Sequence, residues 1–282
     1  MKKIFLFTLI ILFATVNANA QHPKYEVYAL KFAAIGQALP LSVVVLNAPA
    51  KDTVNAVFMV WLIKGNNGKN ILVDAGFLSD VAEAKGNLKV QNFTRPDSML
   101  TKVGLKASDI TDIILTHPHW DHADGVDLFP NAQVWIQKED YNYCIGAAWQ
   151  KGGNPDFNKR DIRKLIELNL AGKLTLVDGD YKEIIPGIKV YTGSRHTFNS
   201  QYVLVKSGTD KIILASDNVY TYYNLEHLKS APANATFDTT AYAKEMIRMK
   251  TLASDSKFII PGHDALLFSK FPLVAAGVIK IK

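Results

Sequence analysis

Four side chains able to bind a metal ion fall within six residues, His117-Pro118-His119-Trp120-Asp121-His122. Imidazole and carboxylate without thiolate suit zinc and similar first-row divalent ions and leave them Lewis-acidic. In extended chain, positions i and i+2 can converge on one ion, so His117 and His119 can share it. Asp121 and His122, entering the next predicted helix, point at a second. Three further candidates follow at His196, Asp217 and His263. Each candidate group comes just after an apolar stretch that reads as a strand: 110–115, 189–192, 211–215 and 257–260. A ligand at the end of a buried strand is held rigidly while it faces a cleft. An aspartate can bridge two cations and neutralise part of their charge, and Asp217 is the late strand-end acid placed for that. Two such ions, zinc by preference, would make bound water nucleophilic at neutral pH. His22 and His227 lack this placement and read as surface residues.

The elements that must position these residues follow from pattern. Residues 27–32, 42–46, 54–63 and 70–74 are β-branched or aromatic runs that predict strands, with Gly65-Asn66-Asn67-Gly68 turning between the last two. The period then changes. Residues 96–105 and 121–129 predict short helices and 133–136 a strand, and Asp156 or Asn158 caps a helix to about Leu170, closed by Gly172. The second half repeats this logic. A strand over 201–206 turns through Ser207-Gly208-Thr209-Asp210, and Asp238 or Thr239 caps a helix to about Ser254. Its Tyr242, Met246, Met249 and Ala253 share one face and read as core packing. Strands followed by strand–helix alternation, twice over, predict two packed sheets with helices outside, as one domain over 21–282. The segment 140–157, with Tyr141, Tyr143, Trp149 and Gly152-Gly153, reads either as a lid over the site or as a helix with a packed aromatic face.

Composition narrows the function classes. The 282 residues are 48% apolar and 21% charged, as in ordinary globular proteins. Met1-Lys2-Lys3, an apolar run over 4–16 and Ala18-Asn19-Ala20 form the three-part pattern of a cleaved secretory signal. The run falls short of the ~20 residues that span a bilayer. A periplasmic or secreted protein beginning at Gln21, with no membrane anchor, is therefore expected. Two lysines leave with the signal, taking the net charge from +6 to +4, no argument for nucleic-acid binding. The single cysteine, Cys144, permits no internal disulfide and reads as a buried small hydrophobe.

These residues resemble the metallo-β-lactamase superfamily, whose signature is His-x-His-x-Asp-His. Ile71-Leu72-Val73-Asp74-Ala75-Gly76 looks like its early aspartate motif, and the resemblance covers nearly the whole mature chain. It implies an αβ/βα sandwich, an α/β fold of two packed mixed sheets with helices outside. It assigns His117, His119 and His196 to one metal, Asp121, His122 and His263 to the other, and Asp217 to both, with Asp74 orienting a ligand histidine. Within the superfamily the chain is most similar to the N-acyl homoserine lactonases, through Tyr220 three residues after Asp217. That resemblance implies a small-molecule acyl lactone opened by a metal-bridging hydroxide, with Tyr220 on the oxyanion and Asp121 relaying a proton. Two departures stand out. The family's Gly-His-Thr-Pro-Gly is here Arg195-His196-Thr197-Phe198-Asn199, and its glycine pair after the first motif is Asp124-Gly125. Both leave the ligand set intact and bear on the pocket near His196.

Rival activities on the same residues are ester, thioester or phosphotriester hydrolysis and a mononuclear-iron persulfide dioxygenase. A glyoxalase-II-type enzyme carries a helical domain after its last histidine, whereas 19 residues follow His263. A β-lactamase proper lacks the bridging aspartate.

Overall fold

The computed structural model describes residues 23–152 and 156–282; the predicted signal, Gln21, His22 and Gly153 lie outside them. Successive side chains of a strand face opposite ways, and here each face has a partner. Trp61, Ile63, Ile71, Val73 and Ile114 pack inward against Ile188, Val190, Val203, Val205 and Leu214 of a second sheet. Their sequence neighbours Val60, Leu62, Leu72 and Ile113 pack outward with Leu165, Tyr141 and Cys144 from covering helices. On the far side of the second sheet, Tyr202, Leu204, Ile213 and Ile259 meet Tyr242, Met246 and Met249 of the Thr239–Leu252 helix. The layers are helix, sheet, sheet, helix, as predicted.

The first sheet runs Leu273–Ala275, Val278–Lys280, Tyr25–Ile35, Val57–Gly65, Asn70–Val73, Asp112–Ile114, Gln133–Gln137, Leu174–Val177, antiparallel at the start and parallel from Asn70–Val73 onward. The second runs Lys182–Ile185, Ile188–Thr192, Gln201–Ser207, Asp210–Ser216, Ile259–Pro261, with the last pair parallel. Ligand-bearing turns leave the C-terminal ends of Asp112–Ile114, Ile188–Thr192, Asp210–Ser216 and Ile259–Pro261. Asn158 caps Lys159–Leu170 by accepting from Arg160 N, and Asp238 caps Thr239–Leu252 by accepting from Thr240 N and Ala241 N.

Several expectations are corrected. Residues 42–46 form no strand. After Pro40, whose ring suits a helical start, Leu41–Val43 is a 3-10 turn, and Leu41, Val45 and Val54 make a small core of their own. The run 54–63 is broken into Thr53–Val54 and Val57–Gly65, because Asn55 and Ala56 pair with the segment after His263. The helix over 121–129 is α-helical only for Trp120–Ala123 and tightens to 3-10 over Asp124–Leu128. There Gly125 donates to Gly76 O, and a Cβ on it would lie 2.2 Å from Ala75 O. Similarly, 96–105 is α-helical only over Pro96–Met99. The segment 140–157 begins as a packed helix, Lys138–Ile145, with Asp140, Tyr141 and Cys144 buried. Among the described residues no helix is long and apolar enough to cross a membrane.

Candidate metal centre

The seven predicted ligands converge. One ring nitrogen each from His117, His119 and His196 forms a first set, and Asp121, His122, Asp217 and His263 form a second, all ligand atoms within 4.8 Å inside each set. His196 Nε2 lies 3.2 Å from both His117 Nε2 and His119 Nδ1. Asp217 joins the sets: Oδ2 is 3.5 Å from His196 Nε2, and Oδ1 is 2.8 Å from His263 Nε2 and 3.4 Å from His122 Nε2. Asp121 Oδ2 sits 3.4 Å from His122 Nε2 and 3.6 Å from His263 Nε2.

The remaining ring nitrogens settle the tautomers. His122 Nδ1 donates to Asp74 Oδ2 at 2.8 Å, His196 Nδ1 to Ala235 O at 3.0 Å, and His263 Nδ1 to Val57 O at 2.9 Å. Thr116 Oγ1 donates to Asp74 and accepts from His117 Nδ1 at 2.9 Å. With their protons on Nδ1, His117 and His196 turn their Nε2 lone pairs toward each other. His122 and His263 instead turn Nε2 toward the Asp121 and Asp217 carboxylates, whose charge outweighs burial and raises both imidazoles above the ordinary histidine value. A tetrahedral ion with bonds of ~2.05 Å separates its ligands by ~3.3 Å, close to the spacing of the first set. His122 Nε2 and Asp217 Oδ1 are buried and make no hydrogen bond, which a cation corrects. The donor set therefore fits divalent metal. Burial pushes His119 and His196 down to about 4, so both are neutral donors at neutral pH. Burial pushes the Asp217 carboxyl up, but the imidazoles of His263 and His122 outweigh it and hold the group well below the usual range.

Backbone conformation aims these groups. Asp74, Arg195 and Ser216 adopt φ of 62°, 59° and 49°, left-handed values that cost a non-glycine residue about 1–3 kcal/mol each in such turns. Gly262 has no alternative: a Cβ there would stand 2.7 Å from Asp217 Oδ1.

Several supporting residues escaped the sequence reading. Thr116 and Ser216 both donate to Asp74, and their only signal was adjacency to His117 and Asp217. Tyr242, read as packing, does pack, but its hydroxyl also donates to Asp217 O at 2.9 Å and accepts from Tyr220 N at 3.0 Å. The family departures acquire partners. Thr197 Oγ1 and Asn199 N donate to buried Asp140, and Phe198 stacks on Tyr143 at 4.8 Å. Asp124 accepts from Leu78 N, Arg160 and Lys164.

Tyr220 stands at this centre. Its hydroxyl is 3.5 Å from His196 Nδ1 and its ring stacks on His263 at 5.9 Å. Burial and the Asp217 charge raise its phenol well above the ordinary value, so it is a donor. Tyr220, Asp121, His119, His196, Asp217 and His263 line one cavity of about 560 Å³. His227 is exposed, and the Cys144 thiol is buried, its pKa raised by burial.

The family model for the metallo-beta-lactamase superfamily matches residues 54–263, a span holding all seven ligands. The chain is 26% identical over 225 residues to an N-acyl homoserine lactonase of Bacillus cereus, covering 76% of this chain and 83% of that one. It is 28% identical over 222 residues to another from a Bacillus species, covering 73% and 81%. A solved N-acyl homoserine lactone hydrolase, with N-hexanoyl-L-homoserine at its catalytic metal centre, matches with a TM-score of 0.70 at 23% identity, over 90% of this chain and 98% of that one. That likeness supports the fold. The chain belongs to the metallo-β-lactamase superfamily and is a metal-dependent hydrolase.

Proposed function

We propose that this hydrolase opens the ring of N-acyl homoserine lactones, with two Zn²⁺ ions in the two donor sets, outside the cytoplasm. The observation that carries this reading is the Tyr220 hydroxyl beside His196, on the cavity both sets face. Relatives described as N-acyl homoserine lactonases support the substrate class. His117, His119 and His196 would hold one ion, Asp121, His122 and His263 the other, and Asp217 would span them. Bound there, the ions supply Lewis acidity and bring the pKa of water near neutrality.

The chain's own groups do the rest. The protonated Tyr220 phenol donates to the lactone carbonyl oxygen, a bond that strengthens as negative charge develops there. Water adds to that carbon and the ring C–O bond breaks. Asp121, whose Oδ2 faces His122 and His263, takes the proton that the adding water gives up and passes it to the departing alkoxide. The product is a hydroxy acid that stays in one piece. A cavity of about 560 Å³ is of the size that encloses small molecules. Export rests on the signal pattern of residues 1–20, and mass spectrometry of native material should find Gln21 at the mature N-terminus.

The test is a hydrolysis panel on protein stripped by chelation and reloaded with Zn²⁺, comparing acyl homoserine lactones, thioesters, cephalosporins and phosphotriesters. The expected result is two zinc ions per chain and lactones turned over fastest. Faster turnover of another class, or one iron per chain with oxygen consumed on a persulfide, overturns the reading.

A further inference from the structure

The residues after His196 depart from the family's Thr-Pro-Gly, and here they converge on one carboxylate. Thr197 Oγ1 donates to Asp140 Oδ2 at 2.5 Å and Asn199 N to Asp140 Oδ1 at 3.1 Å. The Phe198 N–H, which the family's proline would lack, faces the same group. Asp140 is fully buried. Burial pushes its carboxyl up to about 6, so at neutral pH it is ionised and accepts. It stands in the first turn of the Lys138–Ile145 helix, where the positive end of the helix dipole favours negative charge. One turn on, the Tyr143 ring stacks on Phe198, 4.8 Å away and 6° from parallel. The helix therefore grips the 197–199 turn twice, and only the carboxylate grip is directional.

This grip acts next to a ligand. Arg195, just before His196, adopts φ of 59°, a conformation that persists only when its surroundings impose it. Without Asp140, the Thr197 hydroxyl and the Asn199 N–H would be buried without an acceptor, a state that folded chains avoid. The turn would relax and carry His196 with it. His122 and His263 rest instead on Asp74 and on Val57 O.

Resting on the two-ion reading, we propose that Asp140 is a positioning residue for His196 and governs metal binding at the His117, His119 and His196 set alone.

The experiment is competition for Zn²⁺ against a chelator, with Co²⁺ loading to tell the sets apart. Asp140→Ala should bind one ion as tightly as wild type and the other about 10–100-fold more weakly. With one equivalent of Co²⁺, its visible spectrum should match that of His119→Ala, in which the first set is broken, and differ from that of His263→Ala. Asp140→Asn keeps the shape and an oxygen for Asn199 N, so its weaker ion should bind more tightly than in Asp140→Ala. Cys144→Ala removes packing from the same helix; it should lower Tm and leave both affinities alone. Loss of the same ion in Cys144→Ala would assign the effect to helix packing and overturn the proposal. If Asp140→Ala folds poorly, Thr197→Val deletes the same hydrogen bond from its other end and should weaken the same ion. A wild-type protein that holds one ion, weakened by Asp140→Ala, keeps the role of Asp140 and sinks the two-ion reading. Two ions weakened equally, or neither weakened, sinks the role of Asp140 alone.

Discussion

His117 and His122 are aimed by side chains, whereas His196 and His263 are aimed by backbone. In the first region the Asp74 carboxylate accepts a hydrogen bond from His122 directly and reaches His117 through Thr116. In the second, the carbonyls of Ala235 and Val57 accept from His196 and His263, and the Tyr242 hydroxyl ties Asp217 to Tyr220. A carboxylate partner carries charge, raises the basicity of its imidazole and is specified by one codon. A carbonyl exists at every residue, so its position depends on the path of the chain and hardly on which side chain it bears. The first region is therefore exposed to point substitution, and the second to anything that moves a loop.

Asp217 is common to both regions, and its removal should have the largest effect. Asp217→Asn is expected to lose metal and turnover together, because one carboxylate balances charge on both sets; full metal content at near-normal rate would show that the regions do not share it. Next comes Asp74→Asn, which keeps the shape and deletes the charge. Loss of such a partner typically weakens metal binding about 10–100-fold, measurable by competition with a chelator, and an unchanged affinity would erase the contrast between the regions. Tyr220→Phe should be milder. With a metal ion sharing the oxyanion charge, its hydroxyl is worth about 1–2 kcal/mol, roughly five- to thirty-fold in kcat as well as kcat/KM. Metal content should stay at the wild-type value, and unchanged lactone kinetics would return Tyr220 to a packing role. The smallest effect belongs to Ala235→Ser, which leaves the carbonyl in place. Metal affinity within about twofold of wild type is expected, far from the loss for a charged partner; a tenfold loss would mean that side chains govern the second region too.

The same contrast governs what could be read in advance. The six-residue motif and its strand are local, and periodicity with donor chemistry sufficed to find them, whereas Asp74 entered only through the family resemblance. His196, Asp217 and His263 were found because each ends a strand, a local signal even though the residues are far apart. The strands Leu174–Val177 and Lys182–Ile185, and the C-terminal pair Leu273–Ala275 and Val278–Lys280, went unread. They are short, and only their neighbours make them strands. Residues 42–46 failed in the opposite sense, because Val43, Val44 and Val45 favour a strand by composition yet have no sheet edge to join.

Chain order alone determined the donor types, their grouping by strand ends and the two-sheet architecture, since these depend on residue chemistry and on spacing of two to four residues. Only the tertiary structure decided that Tyr242 clamps the Asp217 backbone, that Gly262 must lack a side chain and that Val43 and Phe237 share one cavity. Those relations join residues tens to hundreds apart. A hydrogen bond or a van der Waals contact acts over a few ångströms of space, and distance along the chain carries no trace of it until the sheets have packed.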